Sequence, residues 1–166
     1  MPAAPSGNAA PPEVGQPLPD AALHGQARLR FFGLHVYDAR LWSPQPVLPD
    51  DWPRRAFALE LEYARSLPGR RIAERSIDEM RRQQPIADAV AQRWLAAMTE
   101  LFPDVGAGDR LTGVHLPTEG ARFYFNGRSR GELRDPAFAR LFFGIWLAPQ
   151  TSEPTLRAQL LGMAAR

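Results

Sequence analysis

The chain predicts an α+β protein with a mostly antiparallel sheet and helices covering one face of it. Three observations predict this. Runs with period-2 alternation come in two groups of three, at residues 27–63 and 109–133. Helical periodicity is confined to the segment between those groups and the segment after them. Asn126-Gly127, a strong short hairpin signal, joins two of the runs. The order β-β-β-α-α-β-β-β-α-α suits an antiparallel sheet with segregated helices rather than a βαβ repeat.

Residues 1–20 carry six Pro, two Gly and no aromatic. Such a stretch offers too little apolar surface to offset its ordering entropy. It is expected to be disordered or loosely draped, with residues 21–166 as a single domain. Its composition also resembles the start of a mature exported protein, so a periplasmic or secreted location is expected, with the cytoplasm as the alternative.

Ala27-Arg28-Leu29-Arg30-Phe31 alternates and reads as a strand. Gly33 suits a bulge or tight turn. Leu34 to Trp42 is rich in strand formers and reads as a second strand. Pro44, Pro46, Pro49 and Pro53 make the next segment a loop. In Ala56 to Tyr63, Phe57, Leu59, Leu61 and Tyr63 share one face, while Glu60 and Glu62 share the other. That alternation predicts a half-exposed antiparallel strand.

After Pro68-Gly69, residues 70–84 predict a helix with an Ile72, Ser76, Ile77, Met80 stripe. Its Arg and acidic residues sit at i,i+3 and i,i+4 spacings, as on a solvated, self-paired face. Pro85 ends or kinks it. Residues 86–102 give the clearest helix, with Ile86, Val90, Trp94, Met98 and Leu101 on one side. Strands follow at 109–116, 121–125 and 129–133. Asp135-Pro136 reads as an N-cap followed by Pro at the first helical position. The helix 136–147 is apolar nearly all round and should be the most buried element. A short helix opens at Glu153-Pro154 and closes near Gly162.

Composition excludes several chemistries. All 20 basic residues are Arg; there is neither Lys nor Cys. Schiff-base lysines, P-loop lysines, disulfides, thiol catalysis and thiolate metal sites are thereby ruled out. The three His show no metal-ligand spacing, so no metal and no cofactor is expected. No dinucleotide or phosphate-loop motif and no nucleophile elbow is present. A net charge of +2 lacks the clustered excess of a nucleic-acid binder. No apolar run is long enough to span a membrane. A monomer is expected.

Arg28 and Arg30 lie at i and i+2 of one strand, so they point to one face. Two guanidiniums there can clamp a carboxylate or an enolate. The plainer reading places them on the solvent face opposite Glu60 and Glu62.

Several segments together resemble the chalcone isomerase-like family, in its bacterial branch. They are Gly25 to Trp42, containing Arg28, Arg30, Gly33 and Tyr37; Gly108-Asp109-Arg110-Leu111; Phe125-Asn126-Gly127; Phe138 to Leu147; and Leu156 to Gly162. The resemblance runs from about residue 18 to 163. It implies an open-faced β-sandwich: a large antiparallel sheet covered on one face by helices, with a ligand cleft between them. It implies, by turns, isomerisation of a chalcone or binding of a fatty acid through an Arg and a Tyr. The candidate anion reader is Arg28 or Arg30; the register leaves both open. Tyr37 or Tyr63 would add a hydrogen bond.

The isomerases' remaining catalytic positions do not carry over. Residues 70–84 hold neither the Tyr nor the Asn of the first long helix, and the region around Phe143 lacks the late-helix Ser or Thr. The Thr expected before the Gly of the second strand falls near Arg30. The expected function is therefore a non-catalytic protein binding a small apolar acid, such as a fatty acid. The alternatives are an isomerase (an intramolecular lyase) acting on a chalcone-like or polyphenol-like enone with the same Arg as electrophile, and an interaction protein whose cleft its own side chains fill.

Overall fold

Six strands form one antiparallel sheet in which spatial order equals chain order, in this computed structural model describing residues 9–163. They are β1 (Ala22–Phe31), β2 (Leu34–Ser43), β3 (Phe57–Tyr63), β4 (Arg110–Leu116), β5 (Gly120–Phe125) and β6 (Arg128–Leu133). Helices α2 (Gly69–Met80) and α3 (Asp88–Leu101) form the connection from β3 to β4; α4 (Pro136–Leu147) and α5 (Pro154–Leu161) follow β6. The α+β architecture matches expectation.

One sheet face carries Ala27, Ala39, Leu41, Phe57, Leu59, Leu61, Leu111 and Phe123, all packed against the helices in one core. Helix α4 lies at its centre, with Phe138, Phe143 and Leu147 fully buried. Its start follows the expected cap: the Asp135 side chain accepts from the Phe138 N–H, and Pro136 fills the first turn. Asp135 also accepts from the Trp94 indole at 3.0 Å, which fixes α3 to the start of α4.

Two expectations are corrected. The Pro-rich segment is not loosely draped over its described part. Residues Pro12–Gly15 form a short helix, α1, and Glu13, Val14 and Leu18 are buried. (Residues 1–8 and 164–166 lie outside the described residues.) Val14 and Leu18 pack on Trp42, Ala58 and Val114, on the sheet face opposite the helices. That cover also corrects the half-exposed reading of β3. Glu60 is buried at 3% exposure, where alternation alone placed it in solvent. It accepts from Arg40 at 2.9 Å, Trp42 at 2.9 Å and Arg110 at 2.9 Å. Arg110 also reaches Glu13 at 3.1 Å. A buried carboxylate persists only when its lone pairs are met in this way.

Smaller differences concern boundaries. β1 begins at Ala22, five residues before the alternation becomes clean, because Gly25 lies against the backbone of α5 and has no side chain to report its face. Helix α2 ends at Met80, and residues 81–83 make a turn before Pro85.

Candidate functional site

The four residues expected to read a ligand fall on two sides of the sheet. Register decides this. Ala27 faces Ala39 and Leu29 faces Tyr37, so these look toward the helices. Arg28 faces Asp38 and Gln26 faces Arg40, so these look the other way. Alternation keeps Arg30 on the side of Arg28, and a bulge that leaves Val36 of β2 unpaired brings His35 opposite Arg30. Tyr63 pairs with Tyr37 on the helix side.

On the helix side the two phenols are part of the core. Their rings meet edge to face with centroids 5.6 Å apart. Tyr37 accepts from the Trp146 indole at 2.9 Å. Burial pushes both phenols well above their ordinary range, so neither ionises near neutrality. Trp146 meets Tyr37 directly, and both phenols join the continuous core between sheet and helices. The volume between sheet and helices is thus occupied by the chain itself, and Tyr37 and Tyr63 do not converge with Arg28 or Arg30.

On the opposite side, an open depression of about 760 Å³ is lined by Gln26, Arg28, Arg30, Asp38 and Arg40, and by Ala158, Gln159, Gly162 and Met163 at the α5 end. Helix α5 is held there by Gly25. A Cβ at that position would collide with the carbonyls of Gln159 and Leu160. His24 adds a second tie. One of its ring nitrogens meets the Leu160 carbonyl at 3.1 Å, and the other accepts from the Val47 N–H at 3.1 Å.

The charges in the depression are unequal. Arg28 donates to Asp38 at 2.8 Å, and His35 contacts the same carboxylate at 3.0 Å. Partial burial opposes ionisation of Asp38, but the bonds from Arg28 and His35 outweigh it and hold the carboxyl below its ordinary value. Arg40 is engaged by Glu60 and Glu62. The plainer sequence reading gives those two glutamates to Arg28 and Arg30; the register instead sets Glu60 across from Arg40 and Glu62 across from Asp38, and Arg40 reaches both. Arg30 forms no salt bridge among the described residues and is exposed. It is the cation available to an incoming anion. A strand Asp often bonds nearby backbone, but the partners of Asp38 are the Arg28 and His35 side chains. His35 and Asp38 were legible only through cross-strand register, which one strand's sequence does not reveal.

No group of three or more His or acidic residues among the described residues is placed to hold a metal ion. No helix among them is long and apolar enough to cross a membrane.

A sequence model of the chalcone isomerase-like family matches residues 19–162. The chain belongs to the chalcone isomerase-like family. A protein of Haemophilus influenzae described only as uncharacterized is 31% identical over 138 residues, which is 83% of this chain and 66% of that one. The chain therefore spans just under two thirds of that relative's length. The crystal structure of an Arabidopsis thaliana fatty-acid binding protein superposes with a TM-score of 0.68 at 12% identity, covering 86% of this chain and 87% of the other. At that identity the likeness shows the fold: an open sheet with one helical layer, as expected for this family.

Proposed function

We propose that this protein is a non-catalytic chalcone isomerase-like binding protein whose ligand is a small apolar carboxylic acid, a fatty acid being the representative class. One observation carries the reading. Arg30 has no salt-bridge partner among the described residues and stands in an open depression beside Arg28, while the aliphatic and thioether groups of Ala158 and Met163 line the same hollow. A guanidinium stays charged at any physiological pH and meets a carboxylate in bidentate fashion. The fold shared with a fatty-acid binding protein is consistent with this use.

In this reading Arg30 takes the carboxylate. Arg28, already neutralised by Asp38, sets the edge of the site. The acyl part runs along the α5 end toward Met163. The acid lies outside the sheet–helix layer, because that layer is packed.

Catalysis fits the site less well. The carboxylate nearest Arg28 is held ionised by two donors, and Tyr37 and Tyr63 lie across the sheet. The His35–Asp38 contact is the one feature favouring an isomerase, since it supplies a proton-handling group beside the cations.

The test is direct. The purified protein is extracted and its lipids identified by mass spectrometry. Affinity for a medium-chain acid, below its micelle concentration, is then measured for the wild type, Arg30→Ala and Arg28→Ala. A co-purifying acid, with the larger loss at Arg30→Ala, is expected. Absence of a bound acid together with unchanged affinity in both variants overturns the proposal. Turnover of a chalcone above the buffer rate, lost in the same variants, would replace it with the isomerase.

A further inference from the structure

We infer that the β1–β2 hairpin tip is a docking element for an anionic lipid surface, with Phe32 as its wedge and Arg30 and Arg28 as its charged flank.

Two hairpin turns of the same kind lie among the described residues, and they differ in their first residue. Phe32-Gly33 joins β1 to β2, and Asn126-Gly127 joins β5 to β6. Both loops have two residues, closed by the pairs Phe31↔Leu34 and Phe125↔Arg128. Both have positive φ at each position: 51° and 77° in the first, 50° and 84° in the second. This is the turn that right-twisted strands favour, and its first position suits Asn, Asp or Gly. Asn126 obeys the rule. Phe32 breaks it, because a bulky side chain in the left-handed region is strained.

The strain is not offset by burial. Phe32 is 91% exposed, the most exposed large apolar residue described, and Phe31 and Leu34 are 54% and 50% exposed. Phe31 and Phe32 pack on each other with ring centroids 4.5 Å apart. A residue that costs stability and packs only on another exposed ring, not on the core, marks a position held for something outside the fold.

The shape and charge of the tip indicate what that is. The last β2–β3 pair is Tyr37↔Tyr63, so Phe31 to His35 project past the neighbouring strand. The tip is convex and cannot serve as a groove for a peptide. Phe31 and Leu34, a cross-strand pair, share one face; Arg30, Arg28 and His35 share the other. Two acids lie on that face at the base of the tip, and both are already paired: Asp38 to Arg28, and Glu62, opposite Asp38, to Arg40. Arg65 adds an exposed cation close by, since Ala64 donates to the Val36 carbonyl at 2.8 Å. Aromatic and aliphatic residues at an apex with Arg at the flank complement an interface of acyl chains beneath anionic headgroups. Arg30 serves both this docking and the proposed acid site, but Phe31 and Phe32 take no part in the depression, so the two are separable at those residues.

The test is sedimentation of the full chain with vesicles of phosphatidylcholine alone and of phosphatidylcholine mixed with phosphatidylglycerol. The wild type is expected to bind the mixed vesicles more tightly, with binding weakened by salt. Phe32→Asn copies the other hairpin. It is expected to lower vesicle affinity about tenfold while the thermal midpoint holds or rises. Phe31→Ser, which leaves the turn untouched, is expected to weaken binding in the same direction. Arg30→Gln is expected to cost about fivefold on mixed vesicles and little on phosphatidylcholine alone. Equal binding by wild type and Phe32→Asn, or no vesicle binding by the wild type, overturns the inference. So does a wild-type dimer in solution that Phe32→Asn dissolves without any vesicle binding, which would assign the tip to a second copy. Acid affinity measured without vesicles in Phe32→Asn separates this result from that of the binding-site proposal.

Discussion

The indole N–H of Trp146 donates to the hydroxyl of Tyr37 across 2.9 Å, joining the last turn of α4 to the middle of β2. Trp146 is buried and has no other side-chain partner at that nitrogen. Tyr37→Phe leaves a buried donor unmet, which costs about 1–3 kcal/mol. A urea denaturation midpoint measures it. Acid affinity should be unchanged in this variant, because Tyr37 and Arg30 lie on opposite sides of the sheet. A large loss of affinity with unchanged stability would return the ligand to the helix side.

Buried His115 makes stability depend on pH in a defined direction. Burial lowers its folded-state pKa from 6.5 to about 4, against the opposing bond to the Arg55 carbonyl at 2.8 Å. Below pH 6.5 the unfolded chain takes a proton that the folded chain refuses. The stabilisation is therefore complete above pH 6.5 and is lost as pH falls toward 4. The loss approaches about 3 kcal/mol over that window. His115→Phe should have a flatter stability profile between these limits, as read by chemical denaturation at a series of pH values.

Arg110 holds two buried carboxylates at once, Glu13 and Glu60. Arg110→Leu leaves Glu13 without its cation and removes one of the three donors to Glu60. A loss of about 3–5 kcal/mol is expected. The N-terminal segment should release first, since Glu13 is its polar anchor. Limited proteolysis between Val14 and Ala21, faster in the variant than in the wild type, reports that release. Unchanged cleavage would mean that Val14 and Leu18 suffice to hold the segment.

Gly25 admits the backbone of α5. Gly25→Ala places a Cβ against the carbonyl oxygens of Gln159 and Leu160, backbone atoms with little freedom to yield. The overpacking costs about 1–3 kcal/mol or more. Amide exchange should accelerate in Leu156 to Leu161 before the sheet is affected, and the Arg30 depression should lose its α5 wall.

Much of this architecture is legible in the residues. The alternation of Phe57, Leu59, Leu61 and Tyr63, the Asn126-Gly127 turn and the Asp135-Pro136 cap each express a local rule that the fold obeys. What escapes is non-local. Glu60 reads as solvent-facing because alternation cannot know that Val14 and Leu18 return to cover the second face. The same return gives residues 12–15 their helix, although their composition argues against order. Gly25 conceals the start of β1 because the reason for a glycine there is α5, far along the chain. At the site, the i, i+2 spacing correctly puts Arg28 and Arg30 on one face. Their separation from Tyr37 and Tyr63 depends on which face the helices choose. The bulge at Leu29–Arg30 also leaves no mark in the sequence.

The agreement between strand order and chain order bears on how the molecule forms. Most neighbouring strands are joined by short loops, so their closure costs little entropy. The β3–β4 pair is the exception, since both α2 and α3 must be accommodated before Leu59 can meet Gly113. Within the sheet, two locally assembling halves, β1–β3 and β4–β6, thus meet at a seam, a strand pair of high sequence separation, and contacts of that kind slow folding. Substitutions along the seam should lower the folding rate. Those in the β5–β6 hairpin, away from it, should mainly raise the unfolding rate. The meeting of the two halves of the sheet across Leu59 and Gly113 is the step these rates are expected to report.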